Sequence, residues 1–345
     1  MDMVTLGSTG ITVNKNGIGC LPVQRVTHQT AVKLLRKAYA AGLRYFDTAR
    51  AYTDSEAKVG DAFKGMREKI YIATKTKALK AEDFWKDLEI SLKTLQTDYI
   101  DVYQFHNPPF LPVPGGEDGL YDAMLEAKAQ GKIRHIGITS HKQNIANAAI
   151  DSGLYETLQF PFCYLATEQD KALVTKCKAA NMGFIAMKGL SGGLITNSQA
   201  AYAFQAQFDN VLPIWGIQKE KELDEFISYI NNPPRMTAEI EKLIAHDKEE
   251  LSGEFCRACG YCMPCPAGIE INACARMSLM LRRAPTDKQL TPEMQAKMKK
   301  IEGCLHCNQC KSKCPYGLDT PTLLAKNYED YKRVLSGEID VRNYT

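Results

Sequence analysis

Gly42-Leu-Arg-Tyr-Phe-Asp-Thr-Ala-Arg-Ala-Tyr52 joins the end of a helical pattern to a short apolar run. Gly42 ends the helical pattern, and the residues up to Phe46 have the apolar and aromatic character of a buried strand. Asp47 then stands at the end of that strand, and Tyr52 follows in a loop. Because a carboxylate on a buried strand costs desolvation energy unless a cation meets it, Asp47 predicts a basic partner nearby.

Two later apolar runs end on residues that could complete a site with Asp47. Lys75 ends the first of these runs and His106 ends the second. Each run lies about one strand–helix unit after the run before it. A parallel barrel brings the carboxyl ends of its strands together at one face, where barrel enzymes carry their active sites. We therefore expect Asp47, Lys75 and His106 to converge there, with Tyr52 reaching in from the first loop.

Each of these four residues also has a simple structural interpretation when it is taken alone. A capping aspartate, a lysine that extends its charge to solvent, a core histidine and a packing tyrosine are all common. However, the four residues occur at matching positions of consecutive strand–helix units. This regularity favours one shared functional site over four unrelated structural roles.

Strand-like and helix-like segments alternate over the first two thirds of the chain. Short apolar runs predict strands at about 16–20, 43–47, 70–75, 100–106, 133–139, 157–160, 183–187 and 210–215. Three- and four-residue apolar spacing predicts helices at about 28–41, 55–64, 81–95, 118–130, 142–151, 168–181 and 219–231. Thr27 and Asp54 are predicted N-caps, and a hairpin flanks Gly7-Ser-Thr-Gly10. The alternation predicts a (β/α)8 TIM barrel, and the G-x-G-x-x-G opening of a doubly wound sheet is absent from the sequence.

The set of Asp47, Tyr52, Lys75 and His106 resembles the tetrad of the aldo-keto reductase family. The family motif, in which a Gly is followed after three residues by Phe-Asp-Thr-Ala and then by a Tyr, is matched from Gly42 to Tyr52. The likeness extends over roughly two thirds of the chain. It implies a barrel whose lower end is closed by the hairpin. It also implies an oxidoreductase that transfers a hydride between NAD(P)H and a carbonyl or alcohol substrate.

The resemblance further implies where the nicotinamide end of the cofactor would bind. Ser140 and Gln159 stand where family members bind the nicotinamide amide, although His141 replaces the usual Asn. Met187 stands where many members stack an aromatic side chain on the ring, a role that a thioether can also fill.

The phosphate end of the cofactor would meet the segment from Lys188 to Gly193, because glycine-rich backbone after a strand can donate N–H groups to a pyrophosphate. Gln218 stands where the family often has an Arg for the 2′-phosphate, and Phe226 stands where it often has Asn. NADP and NAD therefore both stay open. The predicted cofactor contacts are Gly19, Asp47, Ser140, Gln159, Met187, Lys188, Gly189, Leu190, Gly192, Gly216, Gln218, Glu222 and Glu225.

Length and composition indicate a globular protein with more than one domain. The chain of 345 residues exceeds what one hydrophobic core usually organises. Its hydrophobic content of 45% and charged content of 24% are typical of soluble proteins. The net charge of +3 is too small to indicate a nucleic acid or an anionic membrane as a partner. No signal-peptide pattern and no run of about 18 apolar residues occur, so we expect a cytoplasmic protein.

Nine of the twelve cysteines lie between Cys256 and Cys314, which predicts metal binding rather than disulfides in a chain without an export signal. They include Cys256-R-A-Cys259-G-Y-Cys262-M-P-Cys265-P and Cys304-L-H-Cys307-N-Q-Cys310-K-S-K-Cys314-P. The second run matches the C-x2-C-x2-C-x3-C-P pattern of two-cluster ferredoxins, and the first has one residue fewer before its fourth Cys. Two 4Fe-4S clusters are therefore predicted. Paired zinc sites are the alternative, which the third and fourth Cys of each run make less favourable.

In two-cluster ferredoxins the fourth Cys of each run reaches the other cluster. One cluster is therefore assigned to Cys256, Cys259, Cys262 and Cys314, and the other to Cys304, Cys307, Cys310 and Cys265. Cys274 has no motif around it and is predicted to be a buried packing residue. Helical patterns near 271–281 and 292–301 indicate a mainly helical ferredoxin-like domain. The predicted domains are a barrel at 1–232, a linker helix within 233–252 and an iron–sulfur domain at 253–345.

The tetrad predicts the chemistry of a carbonyl reductase. Tyr52 would donate a proton to the developing alkoxide, and Lys75 would lower the pKa of that phenol from its ordinary value of about 10. Asp47 would hold Lys75 charged and in place. His106, in its neutral form, would orient the substrate oxygen.

The clusters leave three functions open, because a hydride carries two electrons and a cluster accepts one. In the first, a hydride-transfer reductase uses its clusters as structural elements or to dock a redox partner protein. In the second, an electron-transfer protein keeps the barrel as a scaffold. In the third, the cluster state reports redox conditions. The intact tetrad favours the first, with a small carbonyl or alcohol substrate selected by the loop at about 107–118.

Overall fold

The computed structural model describes residues 2–251, 255–258, 260–283, 286–314 and 316–341. The chain divides into two units. The first contains residues 1–189 and 198–237, and the second contains residues 190–197 and 238–345. The predicted domain boundaries at 232 and 252 stay predictions. The division differs from them in assigning the segment 190–197, which follows a barrel strand in the sequence, to the second unit.

The first unit is a closed barrel of parallel strands that is preceded by a hairpin. The hairpin pairs β1 (Met3–Thr5) with β2 (Thr12–Asn14) in antiparallel orientation. The barrel strands are β3 (Gly17–Gly19), β4 (Tyr45–Asp47), β5 (Tyr71–Thr76), β6 (Ile100–His106), β7 (Ile133–Thr139), β8 (Thr157–Pro161), β9 (Gly183–Met187) and β10 (Val211–Gly216). Strand β10 pairs with β3 and closes the barrel. The predicted TIM barrel is therefore confirmed, strand for strand.

Helices follow the strands around the barrel. They are α1 (His28–Ala40), α2 (Ser55–Phe63), α3 (Ala81–Leu95), α4 (Leu120–Ala129), α5 (Gln143–Ser152), α6 (Glu168–Ala179), α7 (Ser198–Ala206) and α8 (Glu220–Asn231). Helix α7 was not predicted. Thr27 caps α1 as expected, since its hydroxyl accepts from the Thr30 N–H. Asp54 precedes α2 but makes no capping bond; its carboxylate instead binds the Lys58 ammonium.

The hairpin contributes apolar side chains to the barrel interior. Its buried residues Val4, Leu6, Ile11 and Val13 pack with inward-facing residues of several barrel strands, including Tyr45. This arrangement is the hairpin closure that the sequence predicted. The interior at this end is therefore filled, which leaves the carboxyl ends of the strands for a site.

The second unit is mainly helical, as predicted. Its helices are α9 (Ala238–Glu250), α10 (Ile271–Cys274), α11 (Met277–Arg283), α12 (Thr286–Gln289), α13 (Pro292–Lys299), α14 (Gln309–Ser312) and α15 (Thr320–Leu335). Its buried core includes Cys256, Cys262, Cys274 and Cys310 together with aliphatic residues such as Leu281 and Leu324. Among the helices of the described residues, none has the length and apolar character that a membrane span requires.

Candidate active site and metal centres

Asp47 and Lys75 form a buried ion pair at the carboxyl ends of β4 and β5. The Lys75 Nζ donates to Asp47 Oδ1 at 2.6 Å and to the Thr48 carbonyl oxygen at 2.6 Å. Neither charged side chain is more than 3% exposed. Asp47 pairs with Ala73 across the adjacent parallel strands, so the barrel backbone fixes the distance between the two groups.

Two glutamine side chains complete the surroundings of the Asp47 carboxylate. Gln104 Nε2 donates to Oδ2 at 3.3 Å, and Gln159 Nε2 donates to Oδ1 at 3.4 Å. Burial raises the pKa of Asp47, whereas the Lys75 charge and these hydrogen bonds act in the opposite direction. Gln104 was not among the predicted site residues. The available signal was a polar side chain in the middle of the otherwise buried strand β6.

Tyr52 and His106 lie next to this ion pair. Their rings meet edge to face, with centroids 5.7 Å apart and planes at 82°. The Lys75 ammonium lies over the Tyr52 ring, 5.4 Å from its centroid. The structure therefore brings the four predicted catalytic residues together at one end of the barrel.

The pKa of Tyr52 is raised, not lowered. Burial is the main cause, and the charges of Asp47 and Cys20 add to it. The prediction that Lys75 lowers this pKa is therefore wrong in this arrangement. The ammonium is hydrogen-bonded to Asp47 and Thr48, so the Asp47 charge offsets its effect on the phenol. At neutral pH Tyr52 is a protonated phenol.

His106 and His141 are both neutral. Burial lowers the pKa of His106 well below its ordinary value, and the charges of Lys75 and Lys77 contribute. Burial, together with the charge of Lys188, does the same for His141. His106 Nδ1 is buried and has no hydrogen-bond partner among the residues described here. A neutral imidazole beside Tyr52 agrees with the state expected for His106.

Ser140 and Gln159, the two side chains predicted to bind the nicotinamide amide, differ in the hydrogen bonds that they already make within the protein. The Ser140 hydroxyl accepts the Lys142 N–H at 3.0 Å, within a local turn. Gln159 donates to Asp47, but its Oε1 is buried and unpaired within the described part of the chain. The backbone N–H of His141, the residue that stands where the family usually has Asn, donates to Asn107 Oδ1 at 3.1 Å.

Gly189 is required by packing. A Cβ at this position would lie 2.5 Å from the Trp215 ring. Trp215 is buried and stacks on Phe226 with centroids 4.5 Å apart, so Phe226 is a core residue. Met187 ends β9 partly buried, and Lys188 after it has a left-handed backbone with φ 59°.

Three of the predicted cofactor contacts, Gln218, Glu222 and Glu225, lie just before α8 or in its first two turns. Glu222 Oε2 accepts the backbone N–H groups of Gln218 and Lys219. Glu225 accepts from the Ser198 and Tyr229 hydroxyls. Both carboxylates therefore already have structural partners. Gly216 ends β10, and Gly19 pairs with Asp47 on the neighbouring strand.

Leu190 and Gly192 lie in the segment of the second unit that follows Lys188. Ser191–Gly193 forms a short turn in which Ser191, Gly192 and Gly193 all have positive φ. A non-glycine residue in this region, such as Ser191, is strained, and such residues cluster at functional sites. The carbonyl oxygens of Ser191 and Gly192 both accept hydrogen bonds from Arg276.

The cysteines of the second unit line two cavities. Cys265, Cys304, Cys307 and Cys310 line the first, and Cys262 also borders it. Cys256, Cys262 and Cys314 line the second. The cavities thus group the fourth Cys of each run with the other run, as in the predicted assignment. The Ala258 N–H points to the Cys256 Sγ at 3.4 Å, the type of contact that supports a cluster thiolate.

The remaining cysteines differ from these. Cys259 lies outside the described residues. Cys274 is fully buried, and its Sγ faces the Lys297 carbonyl oxygen, as expected of a packing residue. Cys20 is buried beside Asp47 and Lys75, and burial raises its pKa strongly. Within the described ranges, no three Cys, His, Asp or Glu side chains are arranged to hold one metal ion.

Comparison with known families gives two matches. Residues 10–210 match the model of the Aldo/keto reductase family, and residues 255–319 match the model of the 4Fe-4S dicluster domain. The second match supports iron–sulfur clusters over zinc.

Individual relatives agree with the first match. The chain is 28% identical over 226 residues to aldo-keto reductase YhdN of Bacillus subtilis, which covers 59% of this chain and 67% of the relative. It is 26% identical to the NADH-specific methylglyoxal reductase of Escherichia coli, over 57% of this chain and 70% of the relative. A crystal structure of an aldo-keto reductase from Klebsiella pneumoniae in complex with NADPH superposes with a TM-score of 0.61 at 22% identity. The superposition covers 71% of this chain and 94% of the Klebsiella chain. At this level of identity the comparison shows that the two proteins share a fold.

Proposed function

The chain belongs to the aldo/keto reductase family and carries a C-terminal 4Fe-4S dicluster domain, so it is an oxidoreductase, and we propose that it transfers a hydride between NAD(P)H and a small carbonyl or alcohol substrate. The observation that carries the proposal is the buried Asp47–Lys75 pair with Tyr52 and His106 beside it.

The cost of this ion pair argues against the barrel as a mere scaffold. Removing two charges from water is expensive, and apolar residues of similar volume often stabilise a core as well or better. Asp47 and Lys75 are both buried, with side chains no more than 3% exposed. A protein that used the barrel only to carry clusters would need neither charge. An electron-transfer or sensing role for the whole chain is therefore the less favoured function.

Each tetrad residue has a defined task in carbonyl reduction. The nicotinamide, when bound, supplies the hydride. The raised pKa of Tyr52 keeps the phenol protonated, so it can donate its proton to the oxygen that becomes an alkoxide. Lys75 places a positive charge near that oxygen and is itself held by Asp47. The neutral His106 can donate or accept a hydrogen bond and so orients the substrate oxygen.

The nicotinamide amide could donate a hydrogen bond to the side-chain oxygen of Gln159. Its Oε1 is a buried acceptor without a partner in the described structure, and an amide NH2 group would satisfy it. Ser140 stands one residue past the end of β7 and its N–H donates to the Gln159 carbonyl oxygen. Met187 would pack against the ring.

The phosphate end would use the backbone from Lys188 to Gly193, in which Lys188, Ser191, Gly192 and Gly193 have positive φ. Gly19, Gly216, Gln218, Glu222 and Glu225 are proposed as further cofactor contacts within the first unit. Because Phe226 is buried against Trp215 and Gln218 carries no charge, either NADP or NAD is proposed as cofactor.

Two 4Fe-4S clusters are proposed, one on Cys256, Cys259, Cys262 and Cys314 and the other on Cys304, Cys307, Cys310 and Cys265. The two cavities lined by these cysteines support the assignment. When bound, such clusters exchange single electrons. Here they stabilise the second unit or pass electrons to a redox partner protein. Clusters and free thiols of this kind suit a reducing compartment, which favours a cytoplasmic location.

The test uses protein purified without oxygen. NADPH or NADH is mixed with an activated aldehyde such as methylglyoxal, and oxidation of the nicotinamide is followed by its absorbance. We expect turnover with at least one cofactor and its loss in Tyr52→Phe. Absence of hydride transfer in the wild-type protein with both cofactors and a panel of aldehydes and ketones would contradict the proposal.

A further inference from the structure

Tyr52 lies in a short loop whose two ends are joined by an ion pair. Arg50 stands two residues before Tyr52, and Glu56 stands four residues after it in the first turn of α2. The Arg50 Nη1 donates to Glu56 Oε2. The Glu56 side chain is 1% exposed and the Arg50 side chain is 24% exposed. The carboxylate of this pair is therefore buried inside the loop, and its cation extends toward solvent.

The other carboxylate oxygen of Glu56 connects the loop to the barrel. Oε1 accepts hydrogen bonds from Thr74 Oγ1 and from Ser91 Oγ, each at 2.7 Å. Thr74 precedes Lys75 on β5, and Ser91 lies on α3. A buried carboxylate is stable when a cation and hydrogen-bond donors satisfy its oxygens, and Glu56 has both. One side chain thus joins the loop, a barrel strand and an outer helix.

Backbone hydrogen bonds fix the part of the loop that precedes Tyr52. The Thr48 N–H donates to the Ala73 carbonyl oxygen at 2.8 Å, and the Arg50 N–H donates to the Lys75 carbonyl oxygen at 3.0 Å. The Lys75 Nζ in turn donates to the Thr48 carbonyl oxygen at 2.6 Å. This part of the loop is therefore held on β5, and the Glu56 side chain brings the part after Tyr52 back to the same strand.

The residue after Tyr52 has a strained backbone. Thr53 has φ 39°. This conformation is unfavourable for a β-branched residue, and it persists only where the surrounding contacts impose it. The Arg50–Glu56 pair spans Thr53 and is one such contact. Without the pair, we expect the loop to relax and to move the Tyr52 ring with it.

We propose that Glu56 is a positioning residue for Tyr52. Through Arg50 on one oxygen and Thr74 on the other, it holds the loop so that the Tyr52 ring stays beside Lys75, whose Nζ lies 5.4 Å from the ring centroid. A displacement of about 1 Å in a reacting group can slow a reaction by about 100-fold. The inference rests on the proposed function in one respect, that Tyr52 donates the proton.

Three substitutions test the pair from both sides. Glu56→Gln keeps an oxygen for the Thr74 and Ser91 hydroxyls but removes the charge that pairs with Arg50. Arg50→Met removes the cation from the partly exposed side of the same pair. Arg50→Lys keeps a cation, and because the contact uses a single guanidinium nitrogen, a lysine ammonium can replace it.

Asp101→Asn is the matched control. The Asp101 side chain is also 1% exposed, and it lies near the start of β6, at the opposite end of that strand from His106. Its Oδ2 accepts from Arg67 Nη2 at 2.5 Å and from the Ile72 N–H at 2.9 Å. The control therefore removes a buried, paired carboxylate from the same barrel without changing the loop of Tyr52.

The first readout is amide hydrogen exchange, measured by mass spectrometry on the full chain without nucleotide. The backbone amides of Arg50 and Ser55 both donate hydrogen bonds that hold the loop. We expect them to exchange at least about tenfold faster in Glu56→Gln and Arg50→Met, because the loop opens more often. Arg50→Lys and Asp101→Asn should exchange at this loop as the wild-type protein does.

The second readout is single-turnover hydride transfer at saturating NAD(P)H and aldehyde. We expect the rate constant to fall about 10–100-fold in Glu56→Gln and Arg50→Met, with an unchanged Kd for NAD(P)H. Arg50→Lys and Asp101→Asn should keep the wild-type rate constant. A simple loss of folded protein lowers the amplitude of the turnover and leaves its rate constant unchanged, so the rate constant reports on positioning.

The outcomes separate the two proposals. A wild-type protein without hydride transfer overturns the proposed function, and amide exchange then still tests whether Glu56 anchors the loop. Active wild-type protein with an equally fast Glu56→Gln overturns the positioning role, as does equal slowing in Asp101→Asn. Unchanged exchange at the loop in Glu56→Gln and Arg50→Met overturns the anchoring. If Glu56→Gln does not fold, the contrast between Arg50→Met and Arg50→Lys decides.

Discussion

The Lys75 ammonium lies 2.6 Å from Asp47 Oδ1 across two adjacent barrel strands, and both groups are shielded from water. In this position each charge depends on the other. In the proposed reaction the pair holds a cation near Tyr52, and we expect it also to determine how the stability of the barrel responds to substitution.

Lys75→Met should destabilise the barrel by about 3–5 kcal/mol, because it leaves the Asp47 carboxylate buried without its counter-charge. Asp47→Asn combined with Lys75→Met should recover part of this loss, since neither charge then remains. The free energy of unfolding of the barrel can be measured by urea titration with tryptophan fluorescence, because Trp85 and Trp215 both lie in the first unit. Lys86→Met, which breaks an exposed pair with Glu82, is the control and should leave stability unchanged. Equal effects of the two lysine substitutions would contradict the role of burial.

Tyr52→Phe should slow hydride transfer by about 10²–10⁴-fold, the usual contribution of a general acid, while leaving cofactor affinity nearly unchanged. Single-turnover reduction of an activated aldehyde separates the two effects. Tyr121→Phe removes a phenol that donates to the Leu154 carbonyl oxygen elsewhere in the barrel, and should react at the wild-type rate. A Tyr52→Phe enzyme as fast as this control would remove Tyr52 from its proposed role.

Gln159→Met should raise the Kd of NAD(P)H about three- to tenfold, as expected for the loss of one hydrogen bond. ADP-ribose lacks the carboxamide, so its Kd should not change. Gln104→Met removes the other glutamine bound to Asp47 and should affect neither Kd. Parallel loss of NAD(P)H and ADP-ribose affinity in Gln159→Met would show that the side chain acts on the barrel rather than on the amide.

The barrel should lose stability as the pH falls below about 6.5. The folded pKa of His106 is lowered by burial and by Lys75 and Lys77, so the unfolded chain binds a proton that the folded chain does not. Stability therefore rises with pH up to the unfolded pKa and is lost below it. His106→Gln should reduce the slope of unfolding free energy against pH by about one proton between pH 5 and 6.5. An unchanged slope would show that His106 is charged in the folded protein.

Protein purified without oxygen should contain about eight iron and eight sulfide per chain. Cys265→Ala should lose about four of each, whereas Cys274→Ala should keep all eight because Cys274 lines neither cavity. Removal of iron should unfold the second unit while leaving the tryptophan fluorescence of the barrel in place. Zinc without sulfide, or full iron content in Cys265→Ala, would overturn the cluster assignment.

The sequence was sufficient for the barrel because strand ends and active-site residues coincide. Asp47, Lys75 and His106 lie at or next to the ends of β4, β5 and β6, so one pattern located both fold and site. Helix α7 escaped prediction because its residues Ala200 to Gln205 are all buried. Such a helix has no polar face, so the three- and four-residue spacing carries no signal.

Other features depend on tertiary contacts that spacing does not encode. The Asp54 carboxylate forms an ion pair with the buried Lys58 ammonium, which also donates to the Val23 and Val26 carbonyl oxygens. The pKa of Tyr52 depends on its burial and on the nearby charge of Asp47. Neither the burial nor the proximity of Asp47 could be obtained from the sequence. Helix α15 was within reach of sequence analysis, since Asp319 caps it and Pro321 stands in its first turn.

The grouping of cysteines in the two cavities has a consequence for biosynthesis. Cys314 lines the cavity of the first run, and Cys265 lines the cavity of the second. While the chain emerges from the ribosome, the barrel can fold before the second unit is complete, since domains fold as units during synthesis. The cavity of the second run needs Cys310 and the cavity of the first run needs Cys314, so neither has its full set of cysteines until most of the second run has been translated. We therefore expect iron to be delivered late in synthesis, with the two proposed centres completed only a short stretch of chain apart.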